Sequence, residues 1–278
     1  MIIDYTSCKK TYHVQLSDGS LMLNMRDNRN RSRKGDNNGR AVATTDDMGK
    51  TWSEHPTSHS ALKEPVCMAS LHKHEYTVNG EKSSILLFSN PNVQERPRRR
   101  TTIKVSFDEG MTWPEEYWLL LDEGKNRGYS CLTSIDENTI GILYEGSQAD
   151  MTFESIPIGE LLEAKEDTNP FWADGRAFFE VQQIFRDERL PNVVTATDGT
   201  ILAIWGWNNV RVRRSEDGGR TWGPEIPVCN GLNSGGAIVD EITGNILVFT
   251  EESHPPAPLH MFRSQDQGKT RSEEHTSE

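Results

Sequence analysis

Short stretches in which apolar and polar residues alternate recur along the chain. Residues 101–107 (TTIKVSF) and 209–215 (NVRVRRS) have the two-residue period of half-buried β-strands. Further strand-like runs are SLMLNM, SSILLFS, TIGILYE, TILAIWGW and NILVFTE. Almost no segment has a sustained helical period. The exception is residues 158–166 (IGELLEAKE), for which we expect a short helix. The pattern predicts an all-β protein.

Four near-copies of one phrase, Ser/Thr-x-Asp-x-Gly-x-Thr-Trp, separate these runs. Their aspartates are Asp47, Asp108, Asp217 and Asp266, so successive copies lie 61, 109 and 49 residues apart. The phrase predicts a hairpin turn, because Asp accepts backbone N–H groups, Gly tolerates a positive φ and Trp packs back onto the adjoining layer. Many short strands with a recurring turn are typical of a β-propeller. The longest gap leaves room for one blade without the phrase.

Composition and charge narrow the function. The 278 residues carry a formal net charge of -12, which argues against a nucleic-acid or anionic-membrane partner. One basic stretch, residues 26–40 (RDNRNRSRKGDNNGR), runs against this balance, and we interpret it as a solvated loop. No apolar run is long enough to span a membrane, and no signal peptide is visible. The four cysteines are too widely spaced for a zinc site, and we expect His72 and His74 on the surface.

The repeated phrase resembles the Asp box of the sialidase superfamily. Residues 16–162 narrow the match, because several of their phrases together resemble the later half of bacterial exo-α-sialidases. These phrases are LSDGSLMLNMRDNRN, GRAVATTDDMGKTW, EPVCMASL, LLFSNPN and GYSCLTSIDENTIGILYEG. The resemblance implies a sialidase-type β-propeller, six-bladed in the family, which is incomplete here or made of two partial propellers.

The order of the segments departs from that family. ERLPNVVTATDGTILAIW resembles the opening blades of a sialidase, yet it follows the segment that resembles the later half. We therefore expect residues 1–166 to be the later half of a propeller, 167–184 a linker, and 185–270 the opening blades of a sialidase-like propeller. Residues 271–278 (RSEEHTSE) replace the Trp expected after QDQGKT and resemble translated sequencing adaptor, so we expect a non-native tail.

The resemblance implies three arginines that hold the substrate's carboxylate. A sialic acid glycoside bears this carboxylate on its anomeric carbon, and the planar fork of arginine binds such a group bidentately. The second arginine would be Arg40, directly before AVATT. The third would be Arg98, with Arg100 as the alternative, and the first would be Arg189 if its module completes the same ring. A single arginine beside a turn is usually solvated, and that alternative stays open.

The resemblance identifies Tyr129, in GYSC, as the nucleophile. A neutral phenol avoids the repulsion that a carboxylate nucleophile meets at a centre bearing its own carboxylate. The phenol needs a base to remove its proton. The family places Glu where this chain has Gln15, in HVQLSDG, and an amide cannot take a proton. Loss of a general base typically costs about 10²–10⁴ in rate.

The sequence offers no convincing general acid. Asp198 lies in a TDGT turn, and Asn208 and Asn209 occupy the region where the resemblance implies an Asp. Glu145, in LYEG, matches a family acidic residue that positions an arginine, and we expect it to have this supporting role.

These observations predict an exo-α-sialidase-like propeller, secreted or periplasmic, that releases terminal sialic acid from sialylated glycans. We expect no cofactor, no metal and no membrane span. Two alternatives stay open: a sialic-acid-binding propeller with impaired catalysis, and a propeller used for protein interaction.

Overall fold

A computed structural model of the protein describes residues 8–148, 150–165, 182–254 and 256–277. These residues divide into two compact units. The first contains the described residues up to 129 and residues 158–165, and the second contains the described residues of 130–157 and 182–277. None of the helices in the described ranges is long and apolar enough to cross a membrane.

The first unit contains two antiparallel sheets of four strands each, and in both sheets the strands are ordered as in the chain. The first sheet contains β1 (Cys8–Gln15), β2 (Leu21–Asp27), β3 (Ala41–Thr45) and β4 (Ser53–Glu54). The second contains β5 (Ser70–Val78), β6 (Glu81–Pro91), β7 (Thr101–Ser106) and β8 (Leu119–Asp122). Short 3₁₀ turns span Asn28–Arg31, Gly35–Asn37 and Glu115–Tyr117. The expected short helix is α1 (Gly159–Leu162).

The second unit contains three sheets built in the same way. The first contains β9 (Ser130–Asp136), β10 (Thr139–Tyr144), β11 (Met151–Pro157) and β12 (Gln182–Phe185). The second contains β13 (Asn192–Thr195), β14 (Ile201–Trp205), β15 (Asn209–Ser215) and β16 (Ile226–Asn230). The third contains β17 (Leu232–Val239), β18 (Ile246–Glu251), β19 (Leu259–Ser264) and β20 (Ser272–Ser277). Each sheet is a meander of neighbouring strands, which is the construction of a propeller blade.

The predicted fold class is confirmed. The described residues form five four-stranded blades, one fewer than the six that the resemblance implies, and the propeller is therefore incomplete. The first sheet of the second unit, β9–β12, is the blade without the repeated phrase, in the long gap between Asp108 and Asp217. Four blades carry the phrase and one lacks it, as the spacing predicts.

Each copy of the phrase forms the turn between the third and fourth strands of its blade. The Asp carboxylate accepts hydrogen bonds from the Ser or Thr hydroxyl two residues before it, and from the backbone N–H and hydroxyl of the Thr four residues after it. These twelve bonds measure 2.6–2.9 Å. The Gly of every copy has a φ between +80° and +89°. The turn prediction is confirmed in all four copies.

The core lies between the layers of strands within each unit. In the first unit Trp113 joins a buried cluster that includes Leu71 and Phe88, and in the second Trp222 packs against a cluster that includes Phe153. The Trp residues of these turns thus fold back onto the hydrophobic layer. β15 shows the expected alternation of burial, but all six residues of β7 are buried. The half-buried prediction for β7 is wrong because both of its faces are covered, Lys104 included.

The expectation of surface histidines is wrong for His74, whereas His72 is half-buried. His74 has no exposed surface, and its ring stacks on Tyr76 at a centroid distance of 6.1 Å. Burial, with a smaller effect from His74, lowers the pKa of His72 to about 4. The sequence pattern does not reveal this burial, because it depends on other parts of the fold that cover the face of β5 on which these two rings lie.

The predicted segment boundaries stay predictions. Most of the linker expected at 167–184 lies outside the described residues, and its last three residues, 182–184, belong to β12. The tail expected at 271–278 contains β20, which pairs antiparallel with β19.

Candidate functional site

Arg98 lies in the loop between β6 and β7 and is held by two backbone carbonyl groups. Its Nη1 donates to Arg127 O at 2.7 Å, and its Nη2 donates to Val66 O at 2.8 Å. Because both acceptors are uncharged, these hydrogen bonds do not neutralise the positive charge of the guanidinium. Its Nε is buried and has no hydrogen-bond partner in the described structure. The side chain is therefore fixed in place with donor capacity left over.

Tyr129 lies directly beneath this guanidinium. The Arg98 Cζ atom is 5.6 Å from the centroid of the Tyr129 ring, within the distance of a cation–π contact. Tyr129 directly precedes β9 and is 8% exposed. The structure thus brings together the arginine and the tyrosine that the sequence selects.

Gly128 allows Arg98 and Tyr129 to approach each other. Its φ is +89°, and a Cβ atom there would lie 2.7 Å from Pro91 Cγ, 2.9 Å from Arg98 Cδ and 3.0 Å from Cys67 Sγ. Cys67 also donates its thiol to Gly128 O at 3.2 Å. Both the backbone angle and the space demand glycine at this position.

Arg40 is placed differently from the sequence expectation. Its side chain has no exposed surface, and it forms an ion pair with the equally buried Glu64 at 2.8 Å. Its Nη1 also donates to Cys67 O at 2.8 Å, and its Nε donates to the Asn24 side chain at 2.6 Å. Because both charged groups are buried and hydrogen-bonded, Arg40 and Glu64 form a structural ion pair. In this conformation Arg40 cannot reach a ligand that arrives from solvent.

Arg26, which the sequence analysis did not select, lies where a ligand has access. It is the penultimate residue of β2 and lines a cavity of about 530 Å³ together with Arg98. Its Nε is buried and, like that of Arg98, has no hydrogen-bond partner among the described residues. The sequence carries a signal for Arg26, because this residue opens the basic stretch 26–40, but that stretch is interpreted above as a solvated loop.

Gln15 does not share this cavity. It is exposed at the end of β1, and its side-chain amide donates to Gly19 O at 3.2 Å in the β1–β2 turn. In the register of this hairpin Gln15 is opposite Leu21, whereas Lys9 is opposite Arg26. The five residue steps from Leu21 to Arg26 correspond to roughly 17 Å along a strand. The structure therefore places Gln15 at the far end of the hairpin from Arg26.

Arg189 and Glu145 form a pair within the second unit. Arg189 Nε donates to Glu145 Oε1 at 3.1 Å, and Leu190 N donates to the same oxygen at 3.3 Å. Glu145 has no exposed surface, while the Arg189 side chain is 27% exposed. The Arg189 Cζ atom lies 5.2 Å from the centroid of the Trp207 ring. The buried carboxylate of Glu145 thus orients a partly exposed arginine, and its supporting role in a site stays a prediction.

The positions considered for a general acid remain poor candidates. Partial burial raises the pKa of Asp198, but hydrogen bonds from Thr200 outweigh this effect and lower it overall, whereas a general acid needs a raised pKa. Asn208 lines a second cavity of about 630 Å³, together with Trp207, His254 and His260. Asn209 is exposed at the start of β15.

Comparison with known proteins gives sialidase matches over part of the chain. No family model matches. A sialidase from Bacteroides fragilis is 50% identical over 157 residues, which are 56% of this chain and 27% of that protein. The Hadza microbial sialidase Hz136 is 47% identical, with a TM-score of 0.50 over 56% of this chain and 28% of that one. The chain thus spans little more than a quarter of the length of these relatives.

The architecture has a wider match. The α-L-arabinofuranosidase Arb93A from Fusarium graminearum covers 96% of this chain and 80% of its own, with a TM-score of 0.67 at 15% identity. At this level of identity the likeness shows the fold alone.

Proposed function

We propose a sialidase-like glycoside hydrolase function for this chain, which is related to the sialidase superfamily over part of its length. The proposed substrate is a glycan with a terminal sialic acid. One observation carries the proposal: the guanidinium of Arg98 is held 5.6 Å above the ring of Tyr129, beside an arginine-lined cavity. The expected secreted or periplasmic location is part of the same proposal.

In this proposal Arg26 and Arg98 bind the substrate carboxylate. Both line the same cavity, and both have a buried Nε without a partner among the described residues. Hydrogen bonds to a charged group contribute about 1.5–3 kcal/mol each. Arg98 is already fixed by the carbonyl groups of Val66 and Arg127, so little side-chain entropy is lost when the anion binds. Arg26 takes the place that the sequence analysis gave to Arg40.

The hydroxyl oxygen of Tyr129 is the proposed nucleophile. It would attack the anomeric carbon, a C–O bond to Tyr129 would form, and the glycosidic C–O bond would break. The proton that the phenol loses passes to the leaving alcohol, so the first step consumes no net proton. Water then attacks the anomeric carbon, the C–O bond to Tyr129 breaks, and the proton that water gives up returns to the phenol, with net retention after two inversions. A phenol next to a bound carboxylate lacks the repulsion that a carboxylate nucleophile would meet.

Within the second unit, we propose Arg189 as a carboxylate-binding residue and Glu145 as the residue that positions it. The buried Glu145 carboxylate accepts a hydrogen bond from Arg189 Nε at 3.1 Å and so orients the guanidinium. This assignment concerns the second unit alone.

A binding module with impaired catalysis is the second candidate function. Gln15 supports it, because its amide cannot accept a proton and its side chain faces the β1–β2 turn. The lowered pKa of Asp198 supports it as well. In this alternative the arginines still bind sialic acid, but the glycoside stays intact.

Hydrolysis of a fluorogenic sialoside and binding of sialic acid, measured on the same preparations, test the proposal. Tyr129→Phe is expected to abolish release of the fluorophore and to keep binding, whereas Arg98→Gln is expected to lose both. Arg99→Gln is the matched control, because Arg99 is exposed and does not line the cavity. Binding without hydrolysis in the unmodified chain would favour the binding module. Absence of both would leave a propeller used for protein interaction.

A further inference from the structure

The basic stretch 26–40 is tied to the loop that carries Arg98. Gly35 N donates to Gln94 Oε1 at 2.9 Å, and Gln94 Nε2 donates back to Gly35 O at 3.0 Å. Lys34 Nζ donates to Gln94 O at 2.5 Å. The stretch therefore packs on the neighbouring loop through Lys34 and Gly35, while residues 34–37 stay exposed, so the interpretation of it as a solvated loop holds only in part.

The four cations between Arg26 and Arg40 fall into two groups. Arg29 and Arg33 contact the buried carboxylate of Asp27, at 2.9 and 3.8 Å, and so have a structural counter-charge. Arg31 and Lys34 have no carboxylate within 4.0 Å in the described part of the chain. Both are exposed, and both line the cavity that contains Arg26 and Arg98.

The cavity as a whole is strongly basic. Five cationic side chains and one carboxylate line it: Arg26, Arg31, Lys34, Arg96 and Arg98, against Glu95. None of the five forms an ion pair within the described residues. This occurs in a chain whose net charge is -12. Clustered cations repel one another, and an anionic ligand would relieve that repulsion.

A single carboxylate uses only part of this charge. Two arginines are sufficient to bind one carboxylate, and Arg26 and Arg98 have that role in the proposed function. Arg31, Lys34 and Arg96 are then left on the rim of the same cavity. The volume of about 530 Å³ lies within the usual 300–1,000 Å³ of small-ligand sites.

We infer that Arg31, Lys34 and Arg96 form a second anion subsite, which binds a negatively charged group on the sugar next to the terminal sialic acid. This inference rests on the proposed function, because it takes Arg26 and Arg98 as the ligands of the first carboxylate. A second sialic acid and a sulfate ester share the required chemistry. Glycans with two acidic groups are therefore the preferred ligands of the chain.

Calorimetric titration of the full chain with three thioether-linked sialosides, which resist hydrolysis, tests the inference. The ligands are a monosialoside, a disialoside, and a monosialoside with a sulfate ester on the penultimate sugar. The unmodified chain is expected to bind at least one doubly charged ligand about tenfold more tightly than the monosialoside, corresponding to one added charge-assisted contact. The preference should shrink at high salt, because the subsite is exposed.

Two double variants complete the experiment. Arg31→Gln/Lys34→Gln is expected to abolish the tenfold preference for the doubly charged ligand. Its affinity for the monosialoside should stay unchanged. Lys50→Gln/Arg99→Gln removes the same charge from exposed positions that do not line the cavity, and it should keep the preference. The doubly charged ligand that shows the preference identifies the second group as carboxylate or sulfate.

The outcomes separate the two proposals. If the unmodified chain binds the monosialoside but shows no preference for either doubly charged ligand, the subsite is refuted and the proposed function stands. The subsite is also refuted if Arg31→Gln/Lys34→Gln keeps the full preference. If the unmodified chain binds none of the three ligands, the proposed function itself fails.

Discussion

The guanidinium of Arg98 lies over the ring of Tyr129, with Cζ 5.6 Å from the ring centroid. Two carbonyl groups, those of Val66 and Arg127, hold the guanidinium in that position. Tyr129 follows Gly128, whose missing side chain leaves room for the Arg98 stem. The relative position of Arg98, the proposed anion-binding residue, and Tyr129, the proposed nucleophile, thus depends on Gly128, which has no chemical role itself.

Replacement of Gly128 by Ala should therefore disturb both groups. Its φ of +89° is strained for Ala, and the new Cβ would lie 2.9 Å from Arg98 Cδ. We expect a loss of about 2–4 kcal/mol in the free energy of unfolding, together with a loss of sialic acid binding. Gly19→Ala is the matched control, because its φ is +88° and no atom lies within 4 Å of the new Cβ. Equal losses in both variants, measured by urea denaturation, would contradict the packing argument.

Arg40 and Glu64 should matter for stability rather than for binding. Arg40→Met leaves the Glu64 carboxylate buried without its cation, and such a break typically costs about 3–5 kcal/mol. The double variant Arg40→Met/Glu64→Leu should recover part of this loss, since it removes the stranded charge. Chemical denaturation of Arg40→Met, of Glu64→Leu and of the double variant measures the coupling. A folded Arg40→Met of unchanged stability would show that the pair is not structural.

Arg26→Gln should have the opposite effect. Arg26 forms no ion pair among the described residues, so we expect the free energy of unfolding to change by no more than about 1 kcal/mol. Sialic acid affinity should fall about tenfold or more, because one charge-assisted contact to the carboxylate is lost. Calorimetry against Arg99→Gln measures this fall. If affinity survives in Arg26→Gln and is lost in a folded Arg40 variant, our reassignment of the ligand is wrong.

The turns and the fold class follow from the sequence because their causes are local. In the first turn these hydrogen bonds join four residues of one seven-residue segment, namely Thr45, Asp47, Gly49 and Thr51. The same hydrogen bonds recur in the other three turns. The spacing of these turns even leaves the gap in which β9–β12 forms the blade without the phrase.

The site residues depend on contacts that the sequence does not display. Arg40 and Arg26 look alike as arginines at the ends of strands, and Arg40 is buried because Glu64, 24 residues away, meets its guanidinium. Gln15 is distant from Arg26 because the β1–β2 register places the two at opposite ends of a hairpin. Arg98 and Tyr129, by contrast, lie on loops whose ends are fixed by recognisable strands, and they do meet.

The buried amine of Lys104 should make stability depend on pH. Burial, aided by Lys63 and Arg40, lowers its pKa from 10.5 to about 7, although Glu115 opposes this change. Because the folded state releases the proton more readily than the unfolded state, stability should rise from pH 7 towards 10.5, by at most about 1.4 kcal/mol per pH unit. Lys104→Met should remove this slope, whereas Lys82→Met, at an exposed position of β6, should keep it. Urea denaturation at several pH values provides the test.

The repeated turns should lose part of their stabilising effect in acid. Hydrogen bonds from Thr221, with a further one from Ser215, lower the pKa of Asp217 from 3.8 to about 2. A carboxylate with a depressed folded-state pKa stabilises the protein above its unfolded value, and this effect disappears as the pH falls through the folded value. Thr221→Val removes the hydroxyl that donates to Asp217 at 2.6 Å, so the pKa of Asp217 should move back towards 3.8. The melting temperature of Thr221→Val should therefore lie below that of the unmodified chain above pH 4, and the difference should shrink near pH 2.

Thr221→Ser keeps the hydroxyl and should behave like the unmodified chain. A difference that stays constant across this range would attribute the effect to the lost methyl packing or backbone preference rather than to the ionised carboxylate.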